Sequence, residues 1–216
     1  MSSVASAPIA LRLQPWAGAV GIVGGFALAG AYLTHPPSAP PDTVANALWI
    51  WVHVGFMISL LGGVFLLMAL FSRYAANGGG MAGFVGFALA VVSLIFVFGL
   101  DYAEVFIFPT MAVEFPAVVE TYGDGTMMPS VAFAFPLTGI AYVIGFILFS
   151  WELMRCGTIG RLTGWLTIAG TLVFGIGLSG LAPMIVVRVG SAIFGAGLIA
   201  LGLSLLKSDH EERKLA

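Results

Sequence analysis

Charge is what this sequence has least of. Its 216 residues include eight Lys and Arg and ten Asp and Glu, so 8 % of the chain is charged while 60 % is apolar. An ordinary soluble domain carries roughly 25 % charged residues, and a chain this size with so few cannot face water over its whole surface. The mean hydropathy of +1.07 agrees. The composition is that of an integral membrane protein. A formal net charge of −2 offers no basic stripe for phosphates, which excludes nucleic acid as a partner. The single cysteine, Cys156, excludes a disulfide framework, and three separated histidines, His35, His53 and His210, do not make a Cys/His zinc site. Gly78-Gly79-Gly80 lacks the Lys-Ser/Thr of a phosphate-binding loop, so no nucleotide is expected either.

Long apolar runs are abundant. A hydrocarbon core of about 30 Å needs roughly 20 residues of helix, and six runs qualify: Trp16–Thr34, Leu48–Phe71, Met81–Leu100 (continuing to about Phe108), Val131–Trp151, Leu162–Leu181 and Met184–Leu206. They predict an all-α protein with one six-helix transmembrane domain over 1–216, comprising an arm at 1–15, an interfacial loop at 109–130 and a tail at 207–216. Arg12, Arg73, Arg155, Arg161, Lys207, Arg213 and Lys214 all fall in alternate connections or at the termini, leaving Arg188 as the exception. By the positive-inside rule both termini face the cytoplasm, and the economy of the loops suggests a bacterial inner membrane. Trp49, Trp51, Trp151 and Trp165 stand near span ends, as interfacial tryptophans do. The first run outlasts the roughly 7–15-residue apolar core of a signal peptide, so it is read as retained.

Twenty-nine glycines predict close helix packing, because small residues let backbones approach where lipid supplies no hydrophobic drive. Met81–Leu100 also aligns with Leu162–Leu181, pairing Gly83 with Gly164, Ala88 with Ala169, Ile95 with Ile176 and Gly99-Leu100 with Gly180-Leu181. Spans two–three and four–five thereby read as two copies of one hairpin, an arrangement also found in transporters.

Ionisable residues inside a span are functional candidates by default. His53, Asp101, Glu104 and Arg188 all fall about 6–8 Å or less inside the outer boundary at 1.5 Å per residue. Asp101 and Glu104, spaced i, i+3, share a helix face. Arg188 needs a carboxylate or a route to headgroups, which predicts an ion pair with Asp101 or Glu104. The same four residues could instead floor an outward-facing pocket. No metal is expected: two carboxylates and an imidazole are acceptable ligands, but an arginine among them opposes a cation. No haem is expected without a second intramembrane histidine, and no other cofactor is indicated. Gly177-Leu178-Ser179-Gly180 matches the GxSG string around the nucleophile of rhomboid-type proteases. It lacks the histidine such a serine needs on a later span. Met127-Met128 is a weak copper(I) signal without further methionines beside it.

The stretch from Val105 to Val119 is too apolar for a free loop. Gly99 and Pro109 are the expected breaking points of span three. Beyond them Phe106, Phe108, Pro109 and Phe115 read as a lid over the polar cluster or as a docking surface for a partner or a second copy. Glu114, Glu120 and Asp124 are expected in water. The functional expectation is a non-enzymatic membrane protein, binding a small molecule or lipid or serving as an accessory subunit, with its working surface outward. Two alternatives stand beside it, a proton-coupled secondary transporter and an intramembrane enzyme acting on a lipidic substrate.

Overall fold

A computed structural model describes residues 9–36, 40–123, 125–179 and 182–215, with side chains described between 13 and 207. Asp124, Gly180, Leu181 and the arm before residue 9 therefore lie outside the described residues, as do the side chains of Arg12, His210, Arg213 and Lys214. The described residues contain helices and no strand: α1 (Ile9–Thr34), α2 (Pro41–Val44), α3 (Ala47–Ala76), α4 (Met81–Phe106), α5 (Phe108–Glu114), α6 (Pro116–Tyr122), α7 (Pro129–Arg155), α8 (Arg161–Leu178) and α9 (Met184–Leu215).

Six of these are long and apolar enough to cross a membrane: α1, α3, α4 with α5, α7, α8 and α9. The chain is a multi-pass helical membrane protein. The six spans stand side by side in the order α1, α3, α4, α7, α8, α9, and α9 returns to pack on α1, closing a ring. Exposed side chains such as Phe26, Phe65, Phe96, Phe133 and Ile176 cover its outside, as expected of a bundle whose solvent is lipid. Phe56, Phe146, Phe174, Phe194 and Tyr142 fill its middle.

Local sequence explains the ends. Asn46 caps α3 by accepting the Leu48 N–H at 2.9 Å, and a proline occupies the first turn of α2, α5, α6 and α7. The connections α3–α4 and α7–α8 are built alike. In the first, Gly79 N–H donates to Tyr74 O and Gly78 N–H to Ala75 O; in the second, Thr158 N–H donates to Leu153 O and Gly157 N–H to Met154 O. Gly78 and Gly157 both take positive φ, 77° and 67°. Each is a Schellman turn, for which a glycine is the low-cost residue. The alignment of Gly83 with Gly164 has a structural counterpart too. A Cβ on either would strike a side chain of the preceding helix's last turns, Tyr74 in one hairpin and Met154 in the other.

Span three departs from expectation in where it breaks. Gly99 continues the helix; the break comes at Ile107, two residues before Pro109, and Pro109 starts α5 instead of ending α4. A second break at Phe115, followed by Pro116, turns the chain into α6. The apolar segment is thus two short helices, α5 running on from α4 and packing with α6 against α2.

Candidate functional site

The ionisable residues singled out from sequence sit at one end of the ring, the end that carries His53. His53 is on α3 and Arg188 on α9, while Asp101 and Glu104 lie on the buried stripe of α4 that also carries Gly83, Gly86, Ala90 and Ser93. His53, Asp101 and Glu104 are 5 %, 6 % and 3 % exposed, which places three titratable groups inside the bundle end.

The predicted ion pair is not formed. An ion pair of 3.3 Å joins Arg155 to Glu152, at the opposite end. The ring order gives the reason: α4 and α9 occupy opposite places, so Arg188 and the carboxylates stand on helices that do not pack on each other. Arg188 Nη2 instead donates to the backbone carbonyl of His35 at 3.2 Å, and its Nε is buried without a hydrogen-bond partner among the described residues.

His35, outside the apolar runs of the sequence, belongs to this cluster. It follows directly on α1, and its ring lies 5.3 Å from that of His53 and 5.4 Å from that of Trp49, centroid to centroid. Trp49 and His53 are 4.5 Å apart, and Phe56 and Tyr32 close the aromatic wall. His35 Nδ1 lies 2.7 Å from Pro36 O and His53 Nδ1 lies 2.8 Å from Trp49 O. A carbonyl only accepts, so both rings carry a proton on Nδ1, and Nε2 is the second polar atom of each. The sequence did hold a signal: His35 lies one residue past Thr34, at the level His53 reaches on the returning helix.

Trp49 joins the two sides of the site. It is fully buried, and it packs with Val44 against Phe108, Ala112 and Val119 of α5 and α6, with Ala103 of α4 beside them. Of the four residues expected to form the lid, Phe108 alone is buried in it. Pro109 is half-buried at the start of α5, and Phe106 and Phe115 point outward, each 59 % exposed. Gly125, at φ 88°, closes down on the Phe108 ring, where a Cβ would collide. The roof is therefore Trp49, Phe108, Ala112 and Val119, with Glu104 about one turn and Asp101 about two turns before Phe108 along the chain.

Burial leaves polar atoms here without partners. Trp49 Nε1 and Arg188 Nε make no hydrogen bond to described residues. Buried polar atoms are normally satisfied, and each exception calls for a ligand, a water or a role. The site holds donors on α3 and α9 and acceptors on α4. His53, Asp101 and Glu104 do not gather as a metal-ligand group with any third such residue among those described.

The other sequence candidates have ordinary placements. Ser179 ends α8 at its C-cap, is exposed, and donates to Ile176 O at 2.6 Å. Met127 is exposed, and Met128 precedes α7 with its side chain against the roof. Surface recesses of about 280 Å³ (Ala27, Gly30, Ala31, Thr34, Leu48, Trp51, Val52, Gly55) and about 230 Å³ (Phe71, Tyr74, Ala75, Gly79, Gly80, Met81, Phe84) are lined by none of His53, Asp101, Glu104 or Arg188. No family model, no characterised protein and no solved structure matches this chain.

Proposed function

We propose that this protein is a non-enzymatic ligand-binding protein of the inner membrane, with both termini cytoplasmic and the His53 end outward. Its ligand is a small amphiphile or lipid held in the roofed polar layer. One observation carries the reading: His53, Asp101, Glu104 and Trp49 are all buried at one end of a bundle whose middle has no titratable group besides tyrosine among the described residues, and the donors Trp49 Nε1 and Arg188 Nε there lack hydrogen-bond partners among those residues. The orientation follows from Arg73, Arg155, Arg161 and Lys207, which stand at the end opposite His53.

Transport of protons through the bundle is the weaker reading. The hydroxyls of Ser93, Thr167, Thr171 and Ser191 in the span interiors each donate to a carbonyl of their own helix, three or four residues back, so they form no chain from one end to the other. An intramembrane enzyme would need His53 against a carboxylate and Arg188 turned to the substrate position, and Arg188 is engaged by the His35 carbonyl.

Native mass spectrometry of the protein, extracted in mild detergent, tests the reading. A stoichiometric adduct of defined mass, reduced at least tenfold in Asp101→Asn and in Arg188→Met but kept in Glu120→Gln, is the expected result. A wild-type protein that flies without adduct, or an adduct equally retained in all variants, overturns it. A stoichiometric protein partner in place of an adduct would make the chain an accessory subunit.

A further inference from the structure

The glycines divide the ring into two bodies. Between α1 and α9 a Cβ on Gly25 would stand 2.5 Å from Gly195 O, and one on Gly18 would stand 2.8 Å from Gly202 O. Between α8 and α9 Gly170 meets the Phe194 backbone at 2.5 Å, and between α1 and α3 Gly62 meets Val20 O at 2.8 Å. Between α4 and α7 Gly86 meets Phe149 N at 2.6 Å. These four contacts are backbone against backbone and interlock rigidly, since neither side has a rotamer to change. The two remaining contacts differ toward the His53 side of the ring. Between α3 and α4, Gly63 meets only the Leu94 side chain; between α7 and α8, Gly175 meets only Val143. Side chains can yield where backbones cannot.

One body is thus α8, α9, α1 and α3, and the other is the α4–α7 pair with the roof helices α5 and α6 between them. The chain passes from one body to the other twice, through the two Schellman turns, and both turns lie at the end opposite His53. There they are tied together. Asn77 Nδ2 donates to Thr158 Oγ1 at 3.2 Å, and Tyr74 OH accepts from Gly80 N–H at 2.8 Å and donates to Glu152 Oε2 at 3.1 Å. At the His53 end the two bodies meet through apolar contacts of Val44 and Trp49 with Phe108, Ala112 and Val119. Covalent links and hydrogen bonds at one end, with apolar contact at the other, make a hinge.

We infer that the α4–α7 hairpin and its roof swing as one unit about the Tyr74–Asn77–Thr158 end, opening the polar layer sideways to the membrane leaflet at the His53 end. This rests on the ligand reading above and sharpens it. The two yielding contacts run along the outside of the ring, which carries the exposed apolar side chains, so the ligand enters from the bilayer and is an amphiphile. Its head meets acceptors on the moving body, Asp101 and Glu104, and donors on the fixed one, Arg188 and Trp49. It therefore bears groups that both donate and accept, such as hydroxyl or carbonyl with hydroxyl.

The test locks one yielding contact. In a Cys156→Ser background, Val143→Cys with Gly175→Cys forms a disulfide between the bodies, since a Cβ at 175 lies 2.7 Å from Val143 Cγ2. Ala31→Cys with Gly55→Cys, whose Cβ atoms would lie 3.3 Å apart, gives a control disulfide inside the four-helix body. The reporter is Asp101→Cys, with Ser93→Cys as a second should the first not fold. The label is pyrene maleimide, which partitions into bilayers, and adducts are read by peptide mass spectrometry on liposome-reconstituted protein. Labelling that falls at least tenfold with the 143–175 disulfide and is unchanged by the 31–55 disulfide is expected. Labelling indifferent to the 143–175 lock overturns the hinge, and equal labelling by a sulfonated, water-soluble maleimide overturns the lateral route. The adduct seen by native mass spectrometry is a separate readout. Its absence beside lock-sensitive labelling removes the ligand and leaves the hinge, whereas its presence beside lock-insensitive labelling does the reverse.

Discussion

Arg188 and His35 are joined across the bundle end: the Arg188 guanidinium donates through Nη2 to the His35 carbonyl at 3.2 Å, tying α9 to the residue that follows α1. The carboxylates of α4 take no part in that contact. Arg188→Met therefore costs about 1–2 kcal/mol, the scale of a hydrogen bond from a charged donor. Combined with Asp101→Asn the two effects add to within about 0.5 kcal/mol, as they do for groups that share no partner. Unfolding followed in one detergent for the two single variants and the double variant checks this. A coupling above about 1 kcal/mol would restore the ion pair that the sequence suggested.

The glycine contacts give a graded series. Gly25→Ala pushes a methyl to within 2.5 Å of a backbone oxygen, and the expected loss is about 1–3 kcal/mol, the usual penalty of overpacking. Gly30, on the same helix, has nothing within 4 Å of where its Cβ would stand. Gly30→Ala should be neutral or slightly stabilising, because alanine favours helix over glycine by up to about 1 kcal/mol. Melting temperatures of the two variants, measured side by side, decide whether backbone contact sets the need for glycine.

Much of this architecture was legible in the sequence, and the part that was not has a definite cause. Span number and the approximate span ends follow from hydropathy and length, because lipid leaves a backbone few choices. Depth was legible as well: counting 1.5 Å per residue put His53, Asp101, Glu104 and Arg188 at one level. What periodicity cannot say is which helix neighbours which. The pairing of Arg188 with Asp101 failed on that point, since α4 and α9 stand opposite in the ring. His35 was missed because a residue outside an apolar run reads as loop, although its position beside Thr34 fixes its height. Phe106 and Phe115 were given to the lid on their bulk alone. The helix break at Ile107 turns Phe108 inward and leaves them on the surface.

Tyr74 is the centre of the polar clamp at the other end. Its hydroxyl joins Gly80 N–H to the buried Glu152, which also holds Arg155 at 3.3 Å. Tyr74→Phe removes both bonds and leaves the Gly80 donor and one Glu152 oxygen to find other partners. An expected loss of about 1–3 kcal/mol follows from the price of an unsatisfied buried group, read as a lowered melting temperature. An unchanged melting temperature would mean that the clamp contributes nothing and that the hinge rests on its two turns alone.

The roof separates two phenylalanines by role. Phe108→Ala deletes a buried ring beneath Gly125 and beside Trp49, and about 3–5 kcal/mol should be lost, in line with large-to-small substitutions in cores. Phe115→Ala, on an exposed side chain, should stay within about 0.5 kcal/mol. With Asp101→Cys as reporter, Phe108→Ala should also raise labelling by a water-soluble maleimide, while Phe115→Ala should not. Equal behaviour of the two variants would contradict the roof as described.

Trp49 and Trp51 offer the most direct measurement of the central claim, that an amphiphile occupies the roofed layer. Trp49 is fully buried within the layer, while Trp51, two residues on, is 71 % exposed on the outside of the bundle. Two variants are made, each keeping one of these tryptophans and carrying phenylalanine at the other four positions. Both are reconstituted with rising mole fractions of an alkyl amphiphile brominated next to its hydroxyl head. Saturable quenching of Trp49, with Trp51 quenched only in proportion to the amphiphile in the bilayer, is the result predicted. Trp49 that stays unquenched at every mole fraction while Trp51 dims would contradict a ligand in the layer.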